Sequence, residues 1–325
     1  MKIKSLSYRS YEMPLTTGLL RRGVFIKIAD QQGNCGWGEV APLPKWSGET
    51  LEGALQQLKQ KQREIEEIEW KKENCVEEIC KLKLLPSVIF GLESALLSIL
   101  DPLPEFNVAT SALLMGSPQE ILQQADLRYH EGYSSAKLKV CNLSFNDAAK
   151  LIHQLKDMFR LRIDVNRAWN TKDSLHFFKQ FPLDAFDYVE EPFANPHDLS
   201  LFEHPLAVDE SFPKDLSLED LGSLKTLKAL IYKPTIQGGM SGGIPLCKWA
   251  TQNNVDIVLS SSFESDLGLA HIAGMAQRLS LKAPVGIGTY HFLTERVGGD
   301  GENDANDSRD NRDNRDNRDN FKKFI

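Results

Sequence analysis

The sequence predicts an α/β protein whose larger part is a closed parallel barrel, preceded by a smaller α+β unit, and three observations carry that reading. After Pro104 the chain turns into eight short β-branched apolar runs separated by helical stretches. Six of these runs end in a polar residue, at positions 139, 164, 190, 209, 233 and 260, so successive ends lie 25, 26, 19, 24 and 27 residues apart. That interval accommodates one strand, one crossover helix and two loops. Finally, no glycine-rich phosphate loop opens a helix after the first run, and polar residues close nearly every strand. Both facts favour a barrel, in which all strand ends meet on one face, over an open doubly wound sheet with one switch point.

Before the barrel, residues 24–44 alternate in the manner of antiparallel strands around a turn centred on Gly33. A helical pattern covers residues 50–79, and a second helix, SVIFGLESALLSIL at 87–100, is apolar enough to be packed on both sides. These make a small α+β domain of residues 1–104. The barrel runs follow over 105–292, in order VATSALLMG, SSAKLKV, LRIDV, FDYVEEP, LAVDES, ALIYKPT, VDIVLSSS and APVGIG. Residues 293–325 are of another kind, a polar glycine-rich stretch leading to four tandem copies of RDN at 309–320. Such a tail has nothing to bury and is expected to be disordered, with FKKFI at its end able to dock.

Composition narrows the partners. With 41% hydrophobic and 26% charged residues and a net charge of −7, the 325-residue chain has no compositional support for nucleic acid or an anionic membrane as partner. No apolar run approaches the roughly 20 residues of a membrane span, and the N-terminus lacks the apolar core of a signal peptide. A cytoplasmic protein acting on a small molecule is expected; the oligomeric state is left open. Five scattered cysteines, Cys35, Cys75, Cys80, Cys141 and Cys247, without a histidine nearby read as reduced structural thiols.

Three successive strands end in carboxylates: Asp164 in RIDVN, Glu190 in YVEEP and Asp209 in AVDES. A lone acid after an apolar run is costly to bury, and three converging on one barrel mouth need a counterion. A divalent metal meets that need, and an all-carboxylate set favours Mg²⁺, with Mn²⁺ admissible, over Zn²⁺. Each acid taken singly could equally cap the helix that follows it, but capping does not explain why all three are acids. Asn166, two beyond Asp164, shares its side of the strand and would support the site. Arg162, one step deeper on the same side, would pair with an acid inside the barrel.

Lys139 lies on the strand before Asp164 and Lys233 on the strand after Asp209, so the two lysines flank the acids from opposite sides. That suits removal of a proton next to a carboxylate, which requires the developing charge to be stabilised as it forms. A lysine base must be neutral to act, and Lys137, pointing the same way as Lys139, supplies a neighbouring cation that would lower its pKa.

Taken in order, AKLKV, RIDVNRAW, VEEP, VDES, YKPT and LSSSFES resemble the enolase superfamily, specifically its muconate-lactonizing-like subgroup and, within that, the o-succinylbenzoate synthases. GWGEVAPLP, WSGETLE and PSVIFGLESALL extend the resemblance over residues 19–292. It implies a modified (β/α)7β TIM-like barrel under an N-terminal α+β capping domain, with a small carboxylate substrate held between them. It implies Asp164, Glu190 and Asp209 as Mg²⁺ ligands, Glu190 being preferred to Glu191 because the family's ligand stands two before the proline. The lysine matching Lys139 would remove the α-proton and assist loss of the hydroxyl in a syn dehydration, and the one matching Lys233 would face the ring as a cation. Ser260 and Ser261 match positions that hold the substrate's second carboxylate, although either hydroxyl could cap a helix. Gly286 would leave room for substrate; a tight turn accounts for it as well.

Lys45 departs from the pattern, standing in the cap loop where the family commonly has glycine. Two rival readings remain at this stage. A dipeptide epimerase or N-acylamino acid racemase of the same subgroup would use the same lysines, but the Asp-x-Asp usual for dipeptide epimerases is missing from GIGTY. A catalytically silent barrel serving as a binding protein would have lost a ligand or a lysine, and none is lost.

Overall fold

The computed structural model describes residues 1–103 and 107–294. The expected boundary at 104/105 and the tail from residue 295 onward, RDN repeats and FKKFI included, lie outside the described residues.

Three antiparallel strands open the chain: β1 (Ile3–Pro14), β2 (Leu20–Asp30) and β3 (Cys35–Val40), in the order β1-β2-β3. Gly33 makes the β2–β3 turn at φ +92°, a backbone that costs glycine nothing. Helices α1 (Leu51–Glu67), α2 (Cys75–Leu82) and α3 (Pro86–Leu100) cover one face. Thr50 caps α1, its hydroxyl accepting the Gly53 N–H at 3.1 Å. The helix expected over residues 50–79 is therefore two helices. Ile68 is extended, Glu69 bridges Lys2, and Trp70 is fully buried with its indole N–H on the Ile65 carbonyl at 3.0 Å. Burying that ring and pairing with the N-terminus outweigh helix propagation. α3 is buried on both sides, as its apolar composition requires.

Seven parallel strands follow, each leading into a helix or helical turn: β4 (Ala112–Leu114), α4 (Pro118–His130), β5 (Ser135–Lys139), α5 (Phe145–Leu155), β6 (Arg160–Asp164), α6 (Thr171–Phe178), β7 (Tyr188–Glu190), a 3₁₀ turn (Pro196–Leu201), β8 (Leu206–Val208), α7 (Leu218–Ser223), β9 (Leu227–Tyr232), α8 (Pro234–Gln237), α9 (Gly239–Asn253), β10 (Asp256–Leu259) and α10 (Asp266–Arg278). The strands hydrogen-bond in sequence order.

The eighth run, APVGIG, is shorter than expected. Pro284 has no N–H to donate, and pairing is confined to Val285 and Gly286, which bridge Thr110 and Ser260. Those two residues nevertheless close the ring: Ser111 N–H to Val285 O at 2.9 Å, Val285 N–H to Ala109 O at 2.7 Å, Gly286 N–H to Leu259 O at 2.8 Å and Ser261 N–H to Gly286 O at 3.0 Å. Leu138, Ile163, Val189 and Leu230 point outward into the layer between strands and helices, whereas Tyr188, Ala207, Ala229, Ile231 and Val258 fill the barrel. All five cysteines are free thiols, and no helix among the described residues is long and apolar enough to cross a membrane.

Candidate active site

Strand parity places the chemistry. Alternate residues of a strand face opposite sides, so with Leu138, Ile163 and Val189 outward, Lys137, Lys139, Arg162, Asp164 and Glu190 face inward. Register brings their ends level: Lys139 is paired with Asp164, and Asp164 with Glu190. Asp209 and Lys233 each follow directly on β8 and β9. One row therefore crosses five adjacent strands, with the three acids at its centre and lysines at both ends.

The acids are buried, Asp164 at 1%, Glu190 at 0% and Asp209 at 7% exposure. The Lys137 ammonium lies between the first two, 3.0 Å from Asp164 Oδ2 and 2.6 Å from Glu190 Oε1. Lys139 donates to Asn166 Oδ1 at 3.2 Å and stands 3.6 Å from Asp164 Oδ2. Lys233 pairs with Asp209 Oδ2 at the other end, and its ammonium lies 5.2 Å over the Trp46 ring. Burial pushes the Glu190 carboxyl up to about 8, aided by the charge of Asp164. Burial also opposes the charge on Lys137, but Asp164 and Glu190 outweigh it and hold that lysine well above the ordinary range. On Asp164 the same contest is won by Lys137 and Lys139, which keep its carboxyl low.

These charges bear on the expected metal. Among the described residues, no three acidic, histidine or cysteine side chains stand close enough as they are to hold an ion, and ammonium groups sit beside the acids. The donor set still fits a hard divalent cation. Glu190 Oε2 is buried with no hydrogen-bond partner, and burial, aided by the charge of Asp164, drives its carboxyl toward protonation despite Lys137 on its other oxygen.

The structure separates Glu190 from Glu191, which adopts φ +46° and turns away from the row. Glu191 Oε1 accepts the N–H groups of Asp209 at 2.8 Å and Ser211 at 2.9 Å, so it holds the segment carrying Asp209. Asn166 lies past the end of β6 at φ +47°, not on the strand as its spacing suggested, and reaches Lys139 through that turn. Arg162 is 2% exposed, pairs with Asp187 at 3.0 Å, donates to the Pro284 carbonyl at 2.8 Å and lies over Tyr188. Neither Ser260 nor Ser261 caps α10, whose N-cap is Ser265. Both hydroxyls point at the Gly286 carbonyl, at 3.4 and 3.0 Å, and Ser261 also meets Thr289 at 2.7 Å. Gly286 has no positive φ, so no turn requires glycine there; a Cβ would come within 2.9 Å of Ser260 Oγ and would turn that hydroxyl from its place.

Sequence reasoning did not single out Trp46, and it weighed Glu191 only as a ligand, without seeing its hold on Asp209 and Ser211. A cavity of about 130 Å³ is lined by the three lysines, Asp164, Asp209 and the serines, with Glu190 buried behind them, and is walled by Leu43 and Trp46 of the loop at residues 42–47. Trp46 also borders a neighbouring cavity of about 800 Å³ lined by Lys45, Phe212, Lys214 and Leu246. Lys45 adopts φ +73°, a backbone glycine takes without strain.

The arrangement can hold an anion between two cationic groups and move a proton at its edge. Residues 120–307 match the family model described as Enolase C-terminal domain-like, and residues 8–99 match MenC, N-terminal domain. An o-succinylbenzoate synthase of Aliivibrio fischeri is 32% identical over 84% of this chain and 86% of its own. Among solved structures, MenC from Desulfotalea psychrophila superposes with a TM-score of 0.75 at 20% identity, covering 91% of this chain and 96% of that one. Dipeptide epimerase from Methylococcus capsulatus, complexed with Mg and the dipeptide L-Arg-D-Lys, gives 0.79 at 18% identity, covering 91% and 93%.

Proposed function

This chain belongs to the enolase superfamily, in the family of o-succinylbenzoate synthases, and we propose that its barrel mouth carries out that family's reaction. The reaction is the syn dehydration of 2-succinyl-6-hydroxy-2,4-cyclohexadiene-1-carboxylate to 2-succinylbenzoate in menaquinone biosynthesis. The observation that carries the reading is the row itself: Lys139 and Lys233 on opposite sides of three buried acids on intervening strands.

In this reading residues 1–104 cap a barrel of residues 105–292, and the enzyme works in the cytoplasm on a small carboxylate. Asp164, Glu190 and Asp209 would hold a divalent cation, Mg²⁺ or in its place Mn²⁺. When bound, that cation supplies positive charge to a substrate carboxylate whose α-carbon is losing a proton. Lys139, tethered to Asn166, takes that proton in its neutral form and returns it to the hydroxyl on the same face, which departs as water. Lys233 remains an ammonium on the other face and steadies the negative charge of the substrate. Lys137 keeps its proton between Asp164 and Glu190 and so raises the positive potential at Lys139. Arg162, locked to Asp187, shapes the floor of the pocket. The hydroxyls of Ser260 and Ser261 receive the succinyl carboxylate, and Gly286 leaves it space.

Purified protein with Mg²⁺ is expected to convert the cyclohexadiene to 2-succinylbenzoate and to stop when EDTA is added; turnover indifferent to chelation would overturn the metal assignment. Lys139→Ala is expected to lower kcat by about 10³-fold or more, within the range of general acid–base catalysis, with an unchanged circular dichroism spectrum. A second reading rests on the same two-sided placement of lysines, which also suits racemisation of an N-acylamino acid. Incubation of N-succinyl amino acids in D₂O separates the two, since racemisation exchanges the α-hydrogen and dehydration does not require it.

A further inference from the structure

Arg21, the second residue of β2, lies far in sequence from every residue of the row and is 3% exposed. Among the described residues no carboxylate lies within ion-pair distance of it. Its guanidinium is held by main-chain carbonyls alone: Nε donates to Phe263 at 3.1 Å, Nη1 to Pro42 at 2.8 Å and to Arg22 at 3.1 Å, and Nη2 to Ala41. A buried cation with no carboxylate in ion-pair contact needs other oxygens around it, and a planar fork is the side chain able to reach separate segments at once.

The segments it joins are the two walls of the inner cavity. Ala41 and Pro42 lead into Leu43 and Trp46 on one side; Phe263 follows Ser260, Ser261 and Ser262 on the other. Phe263 adopts φ +60°, a conformation unfavourable for a bulky side chain and in need of external restraint, and Arg21 binds the carbonyl of that residue. Glu39, fully buried on β3, fixes the far end of the same loop. It accepts the N–H of Ser265 at 3.0 Å, the N–H of Gly268 at 3.0 Å and the hydroxyls of Ser265 and Tyr11.

We propose that Arg21 is a positioning residue that sets the gap between the cap loop and the serine loop, residues 260–265, and thereby the fit of the substrate's distal carboxylate. The part about substrate rests on the function proposed above; the part about the loops does not. Arg21→Lys keeps the charge and most of the volume but cannot span the two walls.

In Arg21→Lys, hydrogen exchange is expected to rise in peptides covering 41–47 and 260–265 together, while the barrel strands keep their protection. KM is expected to rise about tenfold, the scale of one lost charged hydrogen bond, with kcat within about threefold. Arg21→Met should repeat both effects, and added guanidinium ion at millimolar concentration should partly restore KM. Exchange unchanged in both loops, or raised evenly along the whole chain, overturns the positioning role, whether or not the protein dehydrates the cyclohexadiene. Loosened loops with an unchanged KM in an active enzyme overturn the link to substrate.

Discussion

Glu190 and Glu191 are adjacent in the chain and opposite in their surroundings. Glu190 ends β7 facing inward with one carboxylate oxygen unpartnered, whereas both oxygens of Glu191 are engaged by Asp209 and Ser211. Replacing each by glutamine therefore tests different things. Glu190→Gln removes the charge at the centre of the row and is expected to abolish Mg²⁺ binding in titration calorimetry. Glu191→Gln can keep one oxygen on the Asp209 and Ser211 N–H groups, so Mg²⁺ affinity should fall only about 10-fold, the low end for groups behind a ligand. Equal losses in the two variants would contradict the division of roles. Composition could not separate these neighbours, since both are acids before a proline; only the resemblance, by its spacing to Pro192, did so. Ser260, Gly286 and Arg162 were within reach of the sequence as candidates, but their partners were not, because each contact joins residues 25 or more apart.

At the level of elements, the tightest constraint is the seat of α3 on β3. A Cβ on Gly36 or Gly38 would run into the main-chain carbonyls of Ala95 or Gly91, so sheet and helix meet backbone to backbone. The neighbour there cannot rotate out of the way. Gly38→Ala is expected to cost about 3 kcal/mol, at the upper end for overpacking, read as a lower urea midpoint at unchanged m-value; a midpoint within error of wild type would mean that α3 slides. Helices α1 and α3 and strands β5 to β10 were legible from periodicity. β1 was not, because its buried residues do not alternate cleanly and its register shifts between Ile3 and Ser5. The break before α2 was hidden for a similar reason: Trp70 suits a helix face as well as the buried gap it fills.

For the whole molecule, the seam between the N-terminal sheet and the barrel carries, beside an apolar cluster of Met13, Phe25 and Leu267, polar groups that titrate. His271 of α10 sets Nε2 3.0 Å from the Trp37 carbonyl of β3, and burial lowers it to about 4. His291 beside Tyr133 is lowered to about 4 for the same reason, and His204 is lowered too. A group with a depressed folded pKa contributes stability above its unfolded value, near 6.5, and loses it as pH falls through the folded value. Glu93 works the other way: α3 buries it against the N-terminus of α9, where Ser241 N–H donates to it at 2.9 Å, and its carboxyl rises to about 7. Its contribution is present at low pH and is lost as pH rises from about 4.5 to 7. The net slope is thus a contest, and a single substitution isolates one side of it. His271→Gln keeps a donor toward Trp37 but does not titrate. Between pH 7 and pH 5 in saturating Mg²⁺, wild type should lose about 2 kcal/mol more than His271→Gln, from 1.36 kcal/mol per unit below 6.5, in urea denaturation. Identical slopes would mean that the imidazole meets water at the seam and does not carry this pH dependence.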